Sequence, residues 1–374
     1  MNDESILAMI EAGARDFARQ ECPLTVVRAA EGGDWTAAEA AWRRLAALGW
    51  LELMLPEALG EPGLAAVCTV SEELGRAAYP LAYPETAALI IPLLAAHGTP
   101  EQRQAYLPAL RSGEQRAALA WPGGGMVYGD SPAAGWPMAV ADSRQGWRRE
   151  GASPPLPEYH LEGASPLLGY CLEGASLLLV PARLAAGVGL LLVERPAGGW
   201  QSRPEADMAN SAWSPVPLGA HLRAELLGGG ALPPESLAGA FDRLRLALSA
   251  HAVGLAAEAL DLAVGHARER VQFDRPIGSF QAVQQRLADS ALEIAAARLL
   301  TLEASDAPAP ATVAMACLQT GDAARKATYT AQQVWGGMGY TLEVDVQLFF
   351  RRARAVQLLL GQPWDLKARI WEGM

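Results

Sequence analysis

The sequence predicts an α+β chain that is mainly α. It reads as an N-terminal helical domain, a small central β-barrel or sandwich domain, and a C-terminal four-helix bundle. Three observations predict this. Apolar residues recur at helical spacing through the first 113 residues. Between residues 114 and 230 glycine and proline become dense and the apolar runs shorten to strand length. After Pro233–Pro234 the chain returns to long Ala- and Leu-rich stretches, giving expected boundaries of 1–113, 114–230 and 231–374.

In the first part, Ile6, Ile10, Ala14 and Phe17 share one helical face, and Trp42, Leu45 and Leu48 repeat the pattern before Gly49. The EPG at 61–63 marks a loop, and Thr99–Pro100 opens a helix that closes at Gly113. In the second part, Ala117–Ala120, Met138–Ala141, Leu177–Val180 and Val188–Val193 read as strands. The stretches SPAAGWPM and SRQGWRREGASPPLPEY read as surface loops. The GGG at 123–125 lacks the strand-before, helix-after setting of a phosphate-binding loop.

The third part opens with FDRLRLALSAHAVGLAAEALDLAVGHARERV, apolar on most faces and so expected between neighbours. Asp242 is expected in its first turn, complementing the helix dipole. A turn, FDRPIGSF, leads to a helix whose stripe is Val283, Leu287, Ala291, Ile294 and Ala297. A further helix over about 311–335 ends at GGMGY, where paired glycines can supply a left-handed cap. Two last helices run through FFRRARAVQLLL and PWDLKARIW.

Composition narrows the chemistry. The chain has 374 residues, 51% of them hydrophobic, and a net charge of −11. That balance argues against nucleic-acid binding, which needs a basic footprint on phosphates. Four scattered cysteines give no metal or disulfide pattern and fit a reducing cytoplasm. The acidic N-terminus is no signal peptide, and Ser176–Val193 is broken by Pro181, Arg183 and Gly187, so no membrane span is expected. RRAR at 351–354 reads as a solvated or interface face, His251 and His266 as core or interface histidines, and Glu343 and Asp345 as solvated. Trp364 and Trp371 are candidates for a subunit contact.

Two segments are more specific: RVQFDRPIGSFQAVQQRLAD at 270–289 and QVWGGMGYTLEVDVQLFFRRAR at 333–354. Together with FDRLRLALSAHAVGLA at 241–256 they resemble the acyl-CoA dehydrogenase family, and the resemblance runs in order along the whole chain. It implies FAD shared across a subunit interface, with the flavin ring on one subunit and the ADP end held by the C-terminal domain of its neighbour. For the ADP end, Arg270 matches the arginine facing the pyrophosphate, Phe273 the aromatic after it and Gln281 the amide of the FQ pair. Gln333, Gly336 and Gly337 match the glutamine-to-glycine turn. Asp274 departs from the usual glycine.

The ring-binding half reads differently. Ala120 stands where the family has a threonine, Trp121 where it has a glutamate and Met126 where it has a serine. Farther on, Leu167 and Gly169 replace a tryptophan and a threonine. The reaction needs a carboxylate to remove the α-proton while a hydride leaves for the flavin. The family's two alternative positions for that glutamate hold Leu360 and Leu244 here, and leucine takes no proton. Asp242 lies two residues from Leu244, about 200° around a helix, and points elsewhere.

The resemblance therefore implies a non-catalytic subunit of a heteromeric acyl-CoA dehydrogenase, an α2β2 assembly of the kind used on bulky CoA thioesters in bacterial steroid breakdown. The acyl-CoA would lie mainly on the catalytic partner. Two alternatives stay open: a flavin-free scaffold or CoA-ester-binding homo-oligomer, favoured by Asp274, and a self-sufficient homotetrameric dehydrogenase with a relocated base such as Asp242.

Overall fold

A computed structural model describes residues 3–57, 63–122, 136–147, 156–162, 167–200, 213–216 and 222–373. The N-terminal part is helical: α1 (Asp3–Glu21), α2 (Leu24–Glu31), α3 (Thr36–Ala47), α4 (Gly63–Arg76), α5 (Tyr83–Glu85), α6 (Ile91–His97) and α7 (Pro100–Arg111). Trp42, Leu45 and Leu51 lie at its buried centre, and Trp50 packs edge-on against Phe17. Thr99 caps α7 as expected, its hydroxyl accepting from Gln102 N–H while the Gln102 side chain accepts from Thr99 N–H. Between α5 and α6 the chain makes one π turn, Thr86–Ile90. Pro92 has no N–H to offer the Ala88 carbonyl, so the ladder widens there.

The central part is a sheet: β1 (Ala117–Pro122), β2 (Met138–Trp147), β3 (Leu156–Glu162), β4 (Leu167–Tyr170), β5 (Leu177–Leu184), β6 (Gly187–Glu194), β7 (Trp213–Pro215), β8 (Leu222–Arg223) and β9 (Glu225–Leu226). β1 runs parallel to β5 over Ala117–Leu119, then leaves it and pairs antiparallel with β4 over Ala120–Pro122. The two buried strands expected within Ser176–Val193 are β5 and β6, paired from Leu177↔Glu194 to Leu184↔Gly187. Alternation sends Ala118, Ala120, Leu178 and Val180 into one core and Leu119, Trp121, Leu177 and Leu179 toward the helices. The stretch 143–159 is not wholly loop: Ser143–Trp147 extends β2 and Leu156–Tyr159 belongs to β3. Gly123–Gly125, Met126, the segment 131–135 and the segment 148–155 lie outside the described residues.

The C-terminal part holds α8 (Pro234–Glu269), a hairpin of β10 (Val271–Gln272) and β11 (Arg275–Pro276), α9 (Gln281–Asp306), α10 (Pro310–Trp335), α11 (Val346–Leu360) and α12 (Pro363–Glu372). Among the described residues α8 alone is long and apolar enough to cross a membrane, and it is a core helix packed against α4, α9, α10 and α11. Its crossing with α4 is set by glycine: a Cβ on Gly254 would come within 1.9 Å of the Glu72 carbonyl oxygen. α8 begins at Pro234, seven residues before the expected Phe241, because Pro233–Pro234 presets the first turn. Asp242 accordingly sits in the third turn, not the first. Of the stripe expected on α9, Ile294 and Ala297 are buried but Ala291 faces outward.

The RRAR segment is also not a solvated face. Arg352 is buried and donates to the Ala78 carbonyl, and Arg351 pairs with Glu31. Asp345 is held by Arg28, whose Nε and Nη2 lie 3.0 and 2.6 Å from Oδ1, so it too is paired.

Candidate functional site

The first cluster forms where α8 and α10 end. Arg270 caps α8, its N–H donating to the His266 carbonyl at 2.9 Å. The His266 ring stacks on Trp335, centroids 4.0 Å apart and planes within 16°. Trp335 is the last residue of α10, flanked by Gln333 and by Gly336–Gly337. One stack thus joins two sequence segments sixty-odd positions apart. Gln333 points to solvent, with Nε2 3.5 Å from the Tyr340 hydroxyl. Gly336 takes φ 64°, ψ −140°, a basin reserved for glycine rather than the expected left-handed cap, whereas Gly337 has no positive φ. A Cβ on either glycine would meet nothing within 4 Å, so the turn leaves open space for a ligand to come against the backbone.

The hairpin after Arg270 adds a second wall. Phe273 (φ 54°) and Asp274 (φ 61°) are the two central residues of its turn, which both need the left-handed region. That explains why glycine suits position 274, and Asp is among the residues that tolerate it. Phe273 is 85% exposed and meets Phe280 edge-on at 6.1 Å, and Phe280 immediately precedes Gln281 at the start of α9. The Arg275 guanidinium lies 4.1 Å over the Phe280 ring. Arg275 went unremarked in the sequence, because only the fold shows it locked beside the other residues. Arg270, Phe273 and Gln281 therefore share one exposed corner, with Gln333, Gly336 and Gly337 linked to it through Trp335.

The second cluster holds the residues at the positions expected for ring contacts. Ala120 and Gly169 are direct cross-strand partners, as are Trp121 and Leu168. Neither Ala120 nor Gly169 offers a hydroxyl, and a Cβ on Gly169 would come within 3.2 Å of Leu172. Ala120 and Leu167 are buried in the sheet core. Trp121 is buried against Trp213, centroids 6.3 Å apart, with Trp213 in turn 5.2 Å from Tyr170. Aromatic rings fill this face, and the Trp121 indole N–H has no hydrogen-bond partner.

Both positions expected for a base are sealed. Leu244 and Leu360 are fully buried in the same apolar core. Asp242 is buried and doubly paired: Oδ1 accepts from Arg245 Nη1 at 2.8 Å and Arg369 Nη1 at 2.9 Å, and Oδ2 accepts from Arg369 Nη2. It ties α12 to α8.

A carboxyl that sequence reading missed does line a cavity. Glu85, only 3% exposed, faces a space of about 50 Å³ with His251, Arg352, Tyr79, Tyr170 and Trp213. The cavity lies beside the two leucines, since Leu248, one turn on from Leu244, and Leu359, next to Leu360, also line it. Burial pushes Glu85 up to about 7, and burial together with the Arg352 charge pushes His251 down to about 4. The His251 Nδ1 and Arg352 Nε lack partners. By volume the cavity suits a few waters, not an acyl chain. No sequence motif marks Glu85; only its burial does.

Comparison with known proteins assigns the fold a lineage. A model described as the acyl-CoA dehydrogenase N-terminal domain matches residues 6–114, and one described as the C-terminal domain matches 235–363. The chain belongs to the acyl-CoA dehydrogenase family. It is 40% identical over 138 residues to acyl-CoA dehydrogenase IpdE2 of Mycobacterium tuberculosis, covering 36% of this chain and 43% of that one. The chain thus spans about two fifths of the length of these curated relatives. A solved structure described as a variant of the Tcur3481–Tcur3483 steroid ACAD superposes with a TM-score of 0.81 at 28% identity, covering 99% and 98% of the two chains. The ChsE4–ChsE5 complex from Mycobacterium tuberculosis shares the fold, with a TM-score of 0.77 at 23% identity over 98% and 96%. Within the acyl-CoA dehydrogenase family, this chain buries Leu244 and Leu360 at the positions expected for a base and exposes Arg270 at the end of α8.

Proposed function

We propose that this chain is a non-catalytic subunit of a heteromeric FAD-dependent acyl-CoA dehydrogenase, clamping the ADP end of a flavin whose ring lies on a catalytic partner. The carrying observation is the contrast between two regions. Both base positions hold buried leucines and the Ala120–Gly169 pair offers no ring contacts, whereas Arg270, Phe273, Gln281, Gln333, Gly336 and Gly337 form one exposed corner. Members of the family bind FAD. When bound, the flavin accepts the substrate's hydride.

The residues here fit the opposite end of that cofactor. The guanidinium of Arg270 suits a pyrophosphate, and the glycine turn lets a dinucleotide approach backbone N–H groups without a Cβ between. Phe273 presents a flat apolar wall. Proton removal falls to the partner, which also carries the acyl-CoA. An α2β2 assembly acting on a bulky, steroid-derived CoA thioester is the arrangement we favour, by likeness to the steroid ACAD and to the ChsE4–ChsE5 complex. Four unpaired cysteines and an acidic surface are in keeping with a cytoplasmic setting.

The test is flavin absorbance with native mass, on this chain alone and co-expressed with catalytic acyl-CoA dehydrogenase subunits of the same genome. The reading expects a colourless chain alone and a yellow complex carrying FAD at half the number of chains. Arg270→Ala is expected to strip the flavin from that complex. The flavin-free scaffold reading, favoured by the Asp274 carboxylate, expects no change; a yellow homotetramer turning over an acyl-CoA would overturn both.

A further inference from the structure

The three parts of the chain meet at one short connector, residues 77–82 between α4 and α5. The Tyr79 hydroxyl donates to the Ala38 carbonyl on α3 at 2.7 Å. At the end of β4, the Tyr170 hydroxyl and the Cys171 thiol both donate to the Pro80 carbonyl, at 2.6 and 3.3 Å. From the bundle, Arg352 on α11 donates to the Ala78 carbonyl. The connector is thus held from the N-terminal helices, the sheet and the bundle at once.

It is also strained. α4 ends in a Schellman turn, with the Ala78 N–H donating to the Gly75 carbonyl and the Tyr79 N–H to the Leu74 carbonyl. That turn places one residue in the left-handed region, where glycine is the usual occupant. Here the residue is Ala78, buried and at φ 49°, and Cys171, which holds Pro80, takes φ 53°. Such conformations persist only where the surrounding contacts over-determine them. Arg352 is one of those contacts.

Arg352 has another place to go. It is buried, its Nη2 lies 3.6 Å from Glu31, and its Nε has no partner among the described residues. It lines the cavity of about 50 Å³ that Glu85 faces. The other titratable groups there are Tyr79 from the connector, Tyr170 from β4 and His251 from α8; Cys171, next to Tyr170, feels the Glu85 charge. Among the described residues, α4 and the π turn add no charged side chain to the lining. Burial keeps both tyrosines and the thiol neutral, and His251 is neutral above about 4. Arg352 is therefore the fixed charge at this cavity, and Glu85, pushed by burial to about 7, is the group that changes charge near neutral pH.

We infer that Glu85 and Arg352 form a proton-operated latch on the connector. With the Glu85 carboxyl neutral, Arg352 holds the Ala78 carbonyl; with it ionised, Arg352 turns to the carboxylate and the connector opens. The proton passes to solvent, and the exchange of partners follows from charge: a buried carboxylate attracts a guanidinium more strongly than a neutral carbonyl does. Losing Arg352 leaves the left-handed Ala78 with one contact fewer to enforce it. The folded state holds the Glu85 proton more tightly than the opened one, so the latch is closed below about 7 and opens as pH rises through that value. Nothing in this depends on a flavin or a partner subunit, so it stands apart from the clamp reading.

Hydrogen exchange of the full chain, read by mass spectrometry at pH 6 and pH 8 and corrected for intrinsic rates, tests it. Protection of residues 77–82 is expected to fall about tenfold between the two, the change in proton binding of a carboxyl at about 7. At pH 8 it should lie below the protection of the α8 interior, because the opening is local. Glu85→Gln should abolish the fall. A wild-type connector equally protected at both pH values overturns the latch, as does a fall that persists in Glu85→Gln. A connector that exchanges no faster than the α8 interior at pH 8 overturns it too, since the chain then opens only as a whole. The Arg352 Nε–H signal, assigned by NMR through its own side chain, gives a second reading on the wild type. It should move with a midpoint near 7, and an unmoved signal sinks the exchange of partners.

Discussion

His266 lies face to face with Trp335, and this contact holds the end of α8 against the end of α10. The residues matched to the ADP end of the flavin hang from those two ends. Trp335→Ala is therefore expected to cost about 1 kcal/mol of stability through the lost stack and to weaken flavin retention by the complex. Denaturant melts and bound-flavin ratios check the two effects separately. Burial and the nearby Arg270 charge hold the His266 pKa below its usual value. A group so depressed favours the folded state above its unfolded pKa and loses that advantage as pH falls, so an imidazole NMR titration should place His266 below free histidine.

Glu85 has the opposite sign. Its carboxyl is pushed from 4.5 to about 7 in the folded chain, so the folded state holds the proton more tightly than the unfolded one. Stability is lost as pH rises from about 4.5 to 7 and stays reduced above that. Glu85→Gln should be near neutral at pH 4.5 and stabilising by roughly 2–3 kcal/mol at pH 8, measured by urea unfolding at both pH values.

The Asp242 cluster gives a test of structure against catalysis. Asp242→Ala removes a buried carboxylate that pairs with Arg245 on its own helix and with Arg369 on α12, and so cuts the tie between α8 and α12. A loss of about 3–5 kcal/mol is expected, with no loss of acyl-CoA turnover in a complex beyond what unfolding explains. A stable variant with abolished turnover would make Asp242 a catalytic group.

Restoring a glutamate should not restore chemistry. Leu360→Glu puts a carboxyl into a fully buried apolar site and is expected to destabilise by several kcal/mol. On the clamp reading the chain alone should still turn over no acyl-CoA, because Ala120 and Gly169 offer no side-chain hydroxyl where ring contacts are expected. Turnover by this variant, assayed with a dye acceptor, would show that the ring site survives.

The helix–sheet–helix order was readable because periodicity reports which face is buried, and α7 with its Thr99 cap was readable to the residue. Arg270, Gln281 and the glycines stood out in the sequence only through the resemblance to a family; that they sit at helix ends is what the fold adds. Glu85 was not readable, since nothing near it in sequence reveals that α8 and α11 close over it. Arg352 was misread for the same cause, its partner Ala78 being 274 positions away.

α8 carries Leu244 near one end and Arg270 at the other. Twenty-six residues of helix separate them, about 39 Å of rigid rod. The place where a proton would be taken and the place where a nucleotide would be gripped thus belong to different neighbourhoods of the same molecule. A lineage can let the first decay, residue by residue, without any change reaching the second. A duplicated subunit with this architecture is free to become a dedicated holder for its sibling's cofactor, and the length of one helix is what makes that division of labour cheap.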